Sequence, residues 1–431
     1  MPPIRPSSIL AAGWALALAL GPILGTPARA ADGPAPTPGR PLLLAHVMPW
    51  YEVDPAGKQW GWHWTMNHFD PNKVGPGDRR EVASHLYPAI GPYDSLDPKV
   101  IEYQVLAMKV AGFDGAILDW YGTDAVDDYP GIHRRTLALV EALKRHGLRF
   151  TICYEDRVVR RVAERDKLTP DQATARGEAH LRFCQDHWFG DPAYVALDGK
   201  PLLMVFGPDF LQPAQWEAIF ARLAAKPAFL TLDEPKGPAL GSFAWPPMWA
   251  SKDGVLAPAA LDAYLDRFER QAGPKVPCAF PGFRDIYAEA KVRPSYGFLD
   301  ARDGATFRHT LDRALATRAP VVQVATWNDY GEGTVVEPTV EHGTRPLAMV
   351  QEARRRLDPR FPFAAGDLAL PGEILKRRRV VNSYPPADER HRRAVDAIVR
   401  ALDAGDPARA RELLAPSPAP APPARSSLRS P

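Results

Sequence analysis

Two carboxylates three residues apart, Asp329 and Glu332, lie on a turn after an apolar run, between Trp327 and Gly333. Opening an acetal requires one carboxylic acid to protonate the departing oxygen. It also requires one carboxylate to activate water or to stabilise the cationic centre. Gly331 and Gly333 permit tight backbone geometry, so both side chains can face one cavity. Two close acids also split each other's pKa values, which supplies an acid and a base near neutral pH. Acids at this spacing are common on solvated surfaces. The position directly after an apolar strand is what favours chemistry here.

The other groups that follow apolar runs are of matching kinds. They are His46 and Trp50; Asp119, Trp120 and Tyr121; Tyr154, Glu155 and Asp156; Asp233 and Glu234; Trp245; Arg284 and Asp285; and Trp327 with Asn328. Sugars present apolar C–H faces and rings of hydroxyls, which aromatic platforms flanked by carboxylates and amides recognise. Trp50, Trp60, Trp62 and Trp64 fall within one fifteen-residue stretch. If WGWHW is extended, Trp60, Trp62 and Trp64 project to one side, as a sugar platform or as a loop-stapling minicore. His46, Trp50, Trp62, Trp64, Tyr93, Asp94, Asp119, Trp120, Tyr121, Tyr154, Glu155, Trp327 and Asn328 are therefore the substrate-binding candidates. Several have plainer alternatives: a salt bridge for Asp119, a helix cap for Glu155 or Asp156, a satisfied histidine at 46, a turn for Tyr93 and Asp94. Arg284 and Asp285 read equally as an ion pair, and Glu337 as support for the loop after Glu332. No phosphate-cradling loop or HExxH helix occurs, and no metal ligand set or cofactor is expected.

Eight short apolar runs must position these groups: Leu42–Val47, Gly115–Asp119, Arg149–Cys153, Pro201–Phe206, Ala228–Leu232, Gly241–Trp245, Val276–Phe280 and Pro320–Thr326. Each is apolar nearly throughout, as parallel strands covered on both faces are. Helical segments alternate with them. Asp97-Pro98 opens one and Gly112 closes it. The pattern predicts an α/β fold, a (β/α)8 TIM barrel over 41–360, with catalytic groups at the C-terminal strand ends. A doubly wound sheet is the rival, but no glycine fingerprint follows the first strand. A C-terminal extension, 361–414, carries a small helical hairpin broken at Gly405-Asp406-Pro407.

The ends read differently. Residues 1–30 combine Arg5, an apolar stretch from Ile9 to Leu24 and Ala28-Arg29-Ala30, the pattern of a cleaved export signal. Residues 31–40 form a linker and 415–431 a Pro/Ala/Ser-rich tail expected to be disordered. A secreted or periplasmic protein without a membrane anchor is the expectation. The 53 Lys and Arg against 51 Asp and Glu leave a formal net charge of +2, too balanced for a nucleic-acid binder held by a basic field. Cys153, Cys184 and Cys278 are too few for a disulfide scaffold. Cys153 and Cys278, in strand-like runs, suit buried thiols.

TWNDYGEGTVVEPT (326–339) resembles glycoside hydrolase families 71 and 99. TWNDYGE is similar to the family 71 (endo-1,3-alpha-glucanase) signature and EGTVVEP to the family 99 (endo-alpha-mannosidase) version. LLLAHVMPWY (42–51), the segment 91–122 ending in LDWYG, FGP (206–208) and FPGFRDIY (280–287) fit the same group. The resemblance spans about 42–357. It implies a TIM barrel that cleaves alpha-linked glycans without a metal cofactor, with an oligo- or polysaccharide as partner. Glu332 matches the general acid of both families. Asp329 matches the second carboxylate, Asp in family 71 and Glu in family 99. The shorter Asp leaves room for water and leans toward inversion. The HY that follows the acid in family 71 is replaced by Gly333-Thr334. Two other readings stay open. One is a glycan-binding barrel without chemistry. The other is a metal-dependent hydrolase using His46, His63, His68 and His85, whose spacings match no ligand pattern.

Overall fold

The computed structural model describes residues 39–54, 56–381 and 389–415. The residues read as an export signal, nearly all of those read as a linker and all but the first of those read as a tail lie outside them. Eight parallel strands form the frame: β1 Leu42–Val47, β2 Gly115–Trp120, β3 Arg149–Tyr154, β4 Lys200–Val205, β5 Ala228–Leu232, β6 Gly241–Phe243, β7 and β8 Val321–Ala325. The seventh is split into Lys275–Val276 and Cys278–Ala279 around Pro277, which has no N–H to donate. Its first piece pairs with β6 and its second with β8, while β8 also pairs with β1. The sheet thereby closes into a (β/α)8 TIM barrel.

Strand alternation decides which side chains reach the barrel interior. Leu44, Ile117, Cys153, Met204, Leu230 and Phe243 pack together inside. Leu43, Leu118, Trp120, Ile152 and Tyr154 look outward into the helix layer. That layer is α1 Pro98–Ala111, α2 Tyr129–Arg145, α3 Arg157–Asp166, α4 Pro170–Cys184, α5 Pro213–Arg222, α6 Pro258–Glu269, α7 Ala305–Ala316 and α8 Arg345–Leu357. Asp97 caps α1 by accepting the Lys99 N–H at 2.9 Å, and Gly112 ends it at φ 96°. Strands six and seven are shorter than the sequence suggests, because Pro246 and Pro247 follow one and Pro277 interrupts the other.

At the end of the barrel opposite the strand C-termini, Asp114 accepts from Arg40 at 2.7 and 2.8 Å, from Arg354 at 2.9 Å and from the Leu43 N–H at 2.9 Å. All three charged side chains are at least nine-tenths buried. Asp114→Ala would leave two buried guanidinium groups facing each other. A loss of about 3–5 kcal/mol of stability is expected, measurable by denaturant unfolding.

After the barrel come α9 Leu370–Val381, α10 Glu389–Asp403 and α11 Pro407–Leu414. Arg378 grips Glu102 of α1 at 2.8 and 3.0 Å. Asp403 receives Lys109 at 3.1 Å and lies 3.0 Å from His146. Val395, Ile398, Leu402 and Ala410 join the core cluster of the barrel's helix layer.

Candidate active site

The loop after β8 is built by hydrogen bonds to its neighbours. The Trp327 N–H donates to the His46 carbonyl at 2.7 Å. The Asn328 side chain clasps the Met48 backbone, accepting its N–H at 2.9 Å and donating to its carbonyl at 3.0 Å. The Asp329 N–H donates to Thr326 Oγ1 at 2.7 Å, and Asp329 Oδ1 accepts the Glu332 N–H at 3.0 Å. From the loop after β7, the Arg284 and Ile286 N–H groups donate to the carbonyls of Glu332 and Gly331 at 2.9 and 3.0 Å. This pairing brings Tyr287 Oη to 3.3 Å from Glu332 Oε1.

Beneath the loop, Glu337 accepts from Tyr93 at 2.8 Å, Tyr330 at 3.0 Å and Gln104 at 3.2 Å. Tyr93 Oη in turn accepts from Asn328 at 3.1 Å. Tyr51 Oη accepts the Tyr330 N–H at 3.0 Å and packs between Trp64, Tyr93 and Tyr330. The catalytic candidates thus stand on a buried polar and aromatic base.

Burial raises both carboxyls. Asp329 is pushed up to about 7 by desolvation, against the pull of the Glu332 and Gly331 N–H groups. Glu332 is raised well above the ordinary range by desolvation, then by the charges of Asp329 and Asp285. The two form an interacting pair whose protons leave in two steps belonging to both. An Asp that ionises near neutrality beside a Glu that keeps its proton is the split that acid–base cleavage needs.

A second acidic group lies across the mouth. Asp119 is raised well above its usual range by burial, then by the charge of Glu155, and Asp329 contributes as well. Glu155 is raised to about 7, chiefly by burial, opposed by Arg157. It accepts from Tyr121 at 3.2 Å and forms an ion pair with Arg157. Tyr121 stacks on Tyr129 with ring centroids 4.6 Å apart. His46 is buried against Trp245 (4.9 Å, edge-on), and burial lowers it to about 4, so it is neutral at working pH.

Other candidates take different places. Trp120 points into the helix layer, donating to His133 at 3.1 Å and packing on Trp188 and Phe183. Tyr154 does the same, bonded to His180 at 2.7 Å. Both are outward because strand alternation turns the neighbours of inward Asp119, Cys153 and Glu155 away from the mouth. Trp327 is fully buried in that layer too. Trp64, Tyr93 and Asn328 belong to the scaffold just described. WGWHW is not extended: Trp62–Thr65 is one helical turn, so Trp64 is buried while Trp62 is 38% exposed. Trp50 stacks on His63 at 4.2 Å. Asp94 holds a turn, accepting the Val53 and Leu96 N–H groups at 3.1 and 2.6 Å and facing Arg135 at 3.4 Å. Asp156 accepts three N–H groups, of Asp209, Phe210 and Leu211, at 2.7–3.0 Å. It shapes the loop after β4 rather than capping α3. Asp285 accepts from the Tyr287 and Tyr296 N–H groups and Ser295 at 2.7–3.1 Å, and no ion pair joins it to Arg284.

Sequence reasoning missed Arg157 and Tyr287. Arg157 follows Glu155 by two residues, and Tyr287 ends the FPGFRDIY segment, but neither has a local pattern that marks it. It also missed an aromatic surface along the loops after β6 and β7. Tyr296 lies 5.8 Å from Tyr287 with Arg293 over its ring at 3.9 Å. Beyond it, Trp249 is 62% exposed and donates to Asp233 at 3.1 Å.

No known family model matches the chain. Over 325 residues it is 24% identical to a glycoprotein endo-alpha-1,2-mannosidase-like protein of Danio rerio, covering 68% of this chain and 70% of that one. It is 21% identical over 345 residues to the glycoprotein endo-alpha-1,2-mannosidase of Mus musculus, covering 70% and 69%. The chain is a glycoside hydrolase similar to those of family 99. For this family 99-like barrel, the endo-alpha-mannosidase of that family from Bacteroides thetaiotaomicron gives a TM-score of 0.55 at 17% identity, over 73% of this chain and 98% of that one. The structural match speaks to the fold, and the carboxylates of the β8 loop occupy the strand ends where such barrels carry chemistry.

Proposed function

We propose that this family 99-like protein is exported and cleaves alpha-glycosidic bonds in an oligo- or polysaccharide, with Glu332 as general acid and Asp329 as general base. One observation carries the reading. The two carboxyls share a loop at the strand ends, and burial holds one near neutrality and the other higher. The relatives' activity makes an alpha-mannoside the first substrate to test. In the proposed step, Glu332 gives its proton to the departing oxygen while Asp329 takes one from water. The C–O bond to the leaving sugar breaks as the new one forms. Exposed Trp62, Tyr296 and Trp249 supply stacking faces at the rim, and Glu155 with Arg157 offers charged hydrogen-bonding groups.

Incubation with alpha-mannans and alpha-glucans, followed by NMR of the first-formed anomer, tests the reading. Product of inverted configuration is expected. Binding without product on every alpha-glycan would point instead to a glycan-binding barrel. A mature N-terminus at Ala31 by mass spectrometry would match export with cleavage after Ala30.

Tyr287→Phe should lower kcat about three- to ten-fold. The hydroxyl stabilises ionised Glu332, so its loss raises that carboxyl further. The alkaline limb of the kcat/KM profile should therefore move to higher pH. An unchanged limb would remove Tyr287 from the mechanism.

A further inference from the structure

Three adjacent strands each end their inward row with a metal-ligating side chain: His46 on β1, Asp119 on β2 and Cys153 on β3. Asp119 and Cys153 are register partners across β2 and β3. One ligand atom of each of the three lies within 4.8 Å of the others, and all three residues are buried. We propose that these three side chains bind a zinc-class divalent cation inside the barrel, at the C-terminal ends of β1, β2 and β3. This lies outside the cleavage step.

Three observations besides proximity point to a ligand. His46 Nδ1 faces Gln323 Oε1 at 3.1 Å, and the Gln323 amide is oriented by donating its Nε2 to the Ala244 carbonyl at 2.5 Å. Gln323 Oε1 must then accept, so the imidazole proton sits on Nδ1 and the Nε2 lone pair is free. An acceptor on the far ring nitrogen, as Gln323 is here, holds the tautomer and orientation that a metal-binding histidine needs. His46 Nε2 and Asp119 Oδ2 are, moreover, buried atoms without a hydrogen-bond partner, an expensive arrangement unless something sits between them. A further carboxyl, that of buried Glu155, stands at the next inward position after Cys153, paired with Arg157.

The donor set is one nitrogen, one oxygen and one sulfur. Thiolate and imidazole together select a borderline-soft ion such as zinc over magnesium or calcium. Ordinary Zn–N, Zn–O and Zn–S lengths of about 2.0–2.3 Å require the three atoms to draw together from separations of up to 4.8 Å. On binding, Cys153 and Asp119 release their protons to solvent and coordinate as thiolate and carboxylate.

The test uses the full chain, produced in zinc- or cobalt-supplemented medium and dialysed exhaustively against chelator, because a buried ion loads during folding. About one zinc per chain is expected by elemental analysis. The cobalt form should show a thiolate-to-cobalt charge-transfer band. Cys153→Ser should abolish that band, and Asp119→Asn should lower metal content at least ten-fold. Cys184→Ser, which removes a thiol from α4, should leave both intact. Circular dichroism identifies any variant that fails to fold. His46→Gln, close in size, provides an independent third test of the same loss. Wild type carrying less than about a tenth of an equivalent, or metal retained in both the Cys153 and Asp119 variants, overturns the assignment. None of these readouts depends on glycan cleavage, so the site stands or falls separately from the proposed activity.

Discussion

Glu332→Gln should reduce kcat on a natural alpha-glycan about 10²–10⁴-fold, the usual span for a positioned general acid. Folding should be unaffected, because Gln keeps the shape and can still pair with Tyr287. The deficit should shrink on a glycosyl fluoride, whose leaving group needs no proton. Asp329→Asn should show a comparable loss on both substrates, since the base is required whatever departs. The pH profiles provide a second check. Asp329 must be ionised and is held at about 7, so activity should rise through neutrality. It should fall again at higher pH as Glu332, raised further, loses its proton. Asp329→Asn removes a like charge beside Glu332, so the alkaline limb of its residual activity should move down. Full turnover by Glu332→Gln on a natural substrate would end the two-carboxylate reading.

The second large effect concerns the base of the same loop. Glu337 is raised from its usual range to about 7 by burial, opposed by the donors Tyr93, Gln104 and Tyr330. A carboxyl with a raised folded pKa favours folding fully below its unfolded value. That contribution is lost as pH rises through the folded value. Stability should therefore decline between about pH 4.5 and 7, with Glu337 contributing about 3 kcal/mol of the fall. Glu337→Gln should match wild type near pH 4.5 and exceed it by up to about 3 kcal/mol at pH 8. The measurement is urea unfolding at each pH. Glu337→Ala, by contrast, strands three buried donors and should lose about 3–5 kcal/mol near pH 4.5, a deficit that narrows by about 3 kcal/mol toward pH 8 as wild type loses the same contribution. It should lower kcat in the folded fraction as well, because Tyr330 and Asn328 lose their common anchor. Identical pH slopes for wild type and Glu337→Gln would place the titration elsewhere.

The barrel was readable because parallel strands buried on both faces leave short apolar runs, and six of the eight lie within one residue of their expected bounds at each end. That Asp329 and Glu332 share one loop at the strand ends was readable because they are neighbours in sequence on one turn. Trp120 and Tyr154 were misread for a physical reason: side chains next to each other on a strand face opposite ways, so a strand end rich in aromatics serves two layers. Trp64 and Tyr93 were misread because an aromatic near a mouth can equally be its foundation. Tyr287 beside Glu332, and the grouping of His46 with Asp119 and Cys153, depend on lateral pairing of neighbouring strands, and Arg157 on how the chain turns from β3 into its helix. No local pattern records that juxtaposition.

The three helices that follow the barrel share its apolar interior. Val395, Ile398 and Leu402 are buried among the same side chains as Val105, Leu143 and Val350. They form a keystone rather than an ornament. A chain ended after Leu357 would bare that seam to water and strip Lys109 and His146 of Asp403. Shortened versions of this enzyme made for crystallography or assay should therefore precipitate when the cut falls before Leu414, whereas trimming beyond Ala415 leaves the seam sealed.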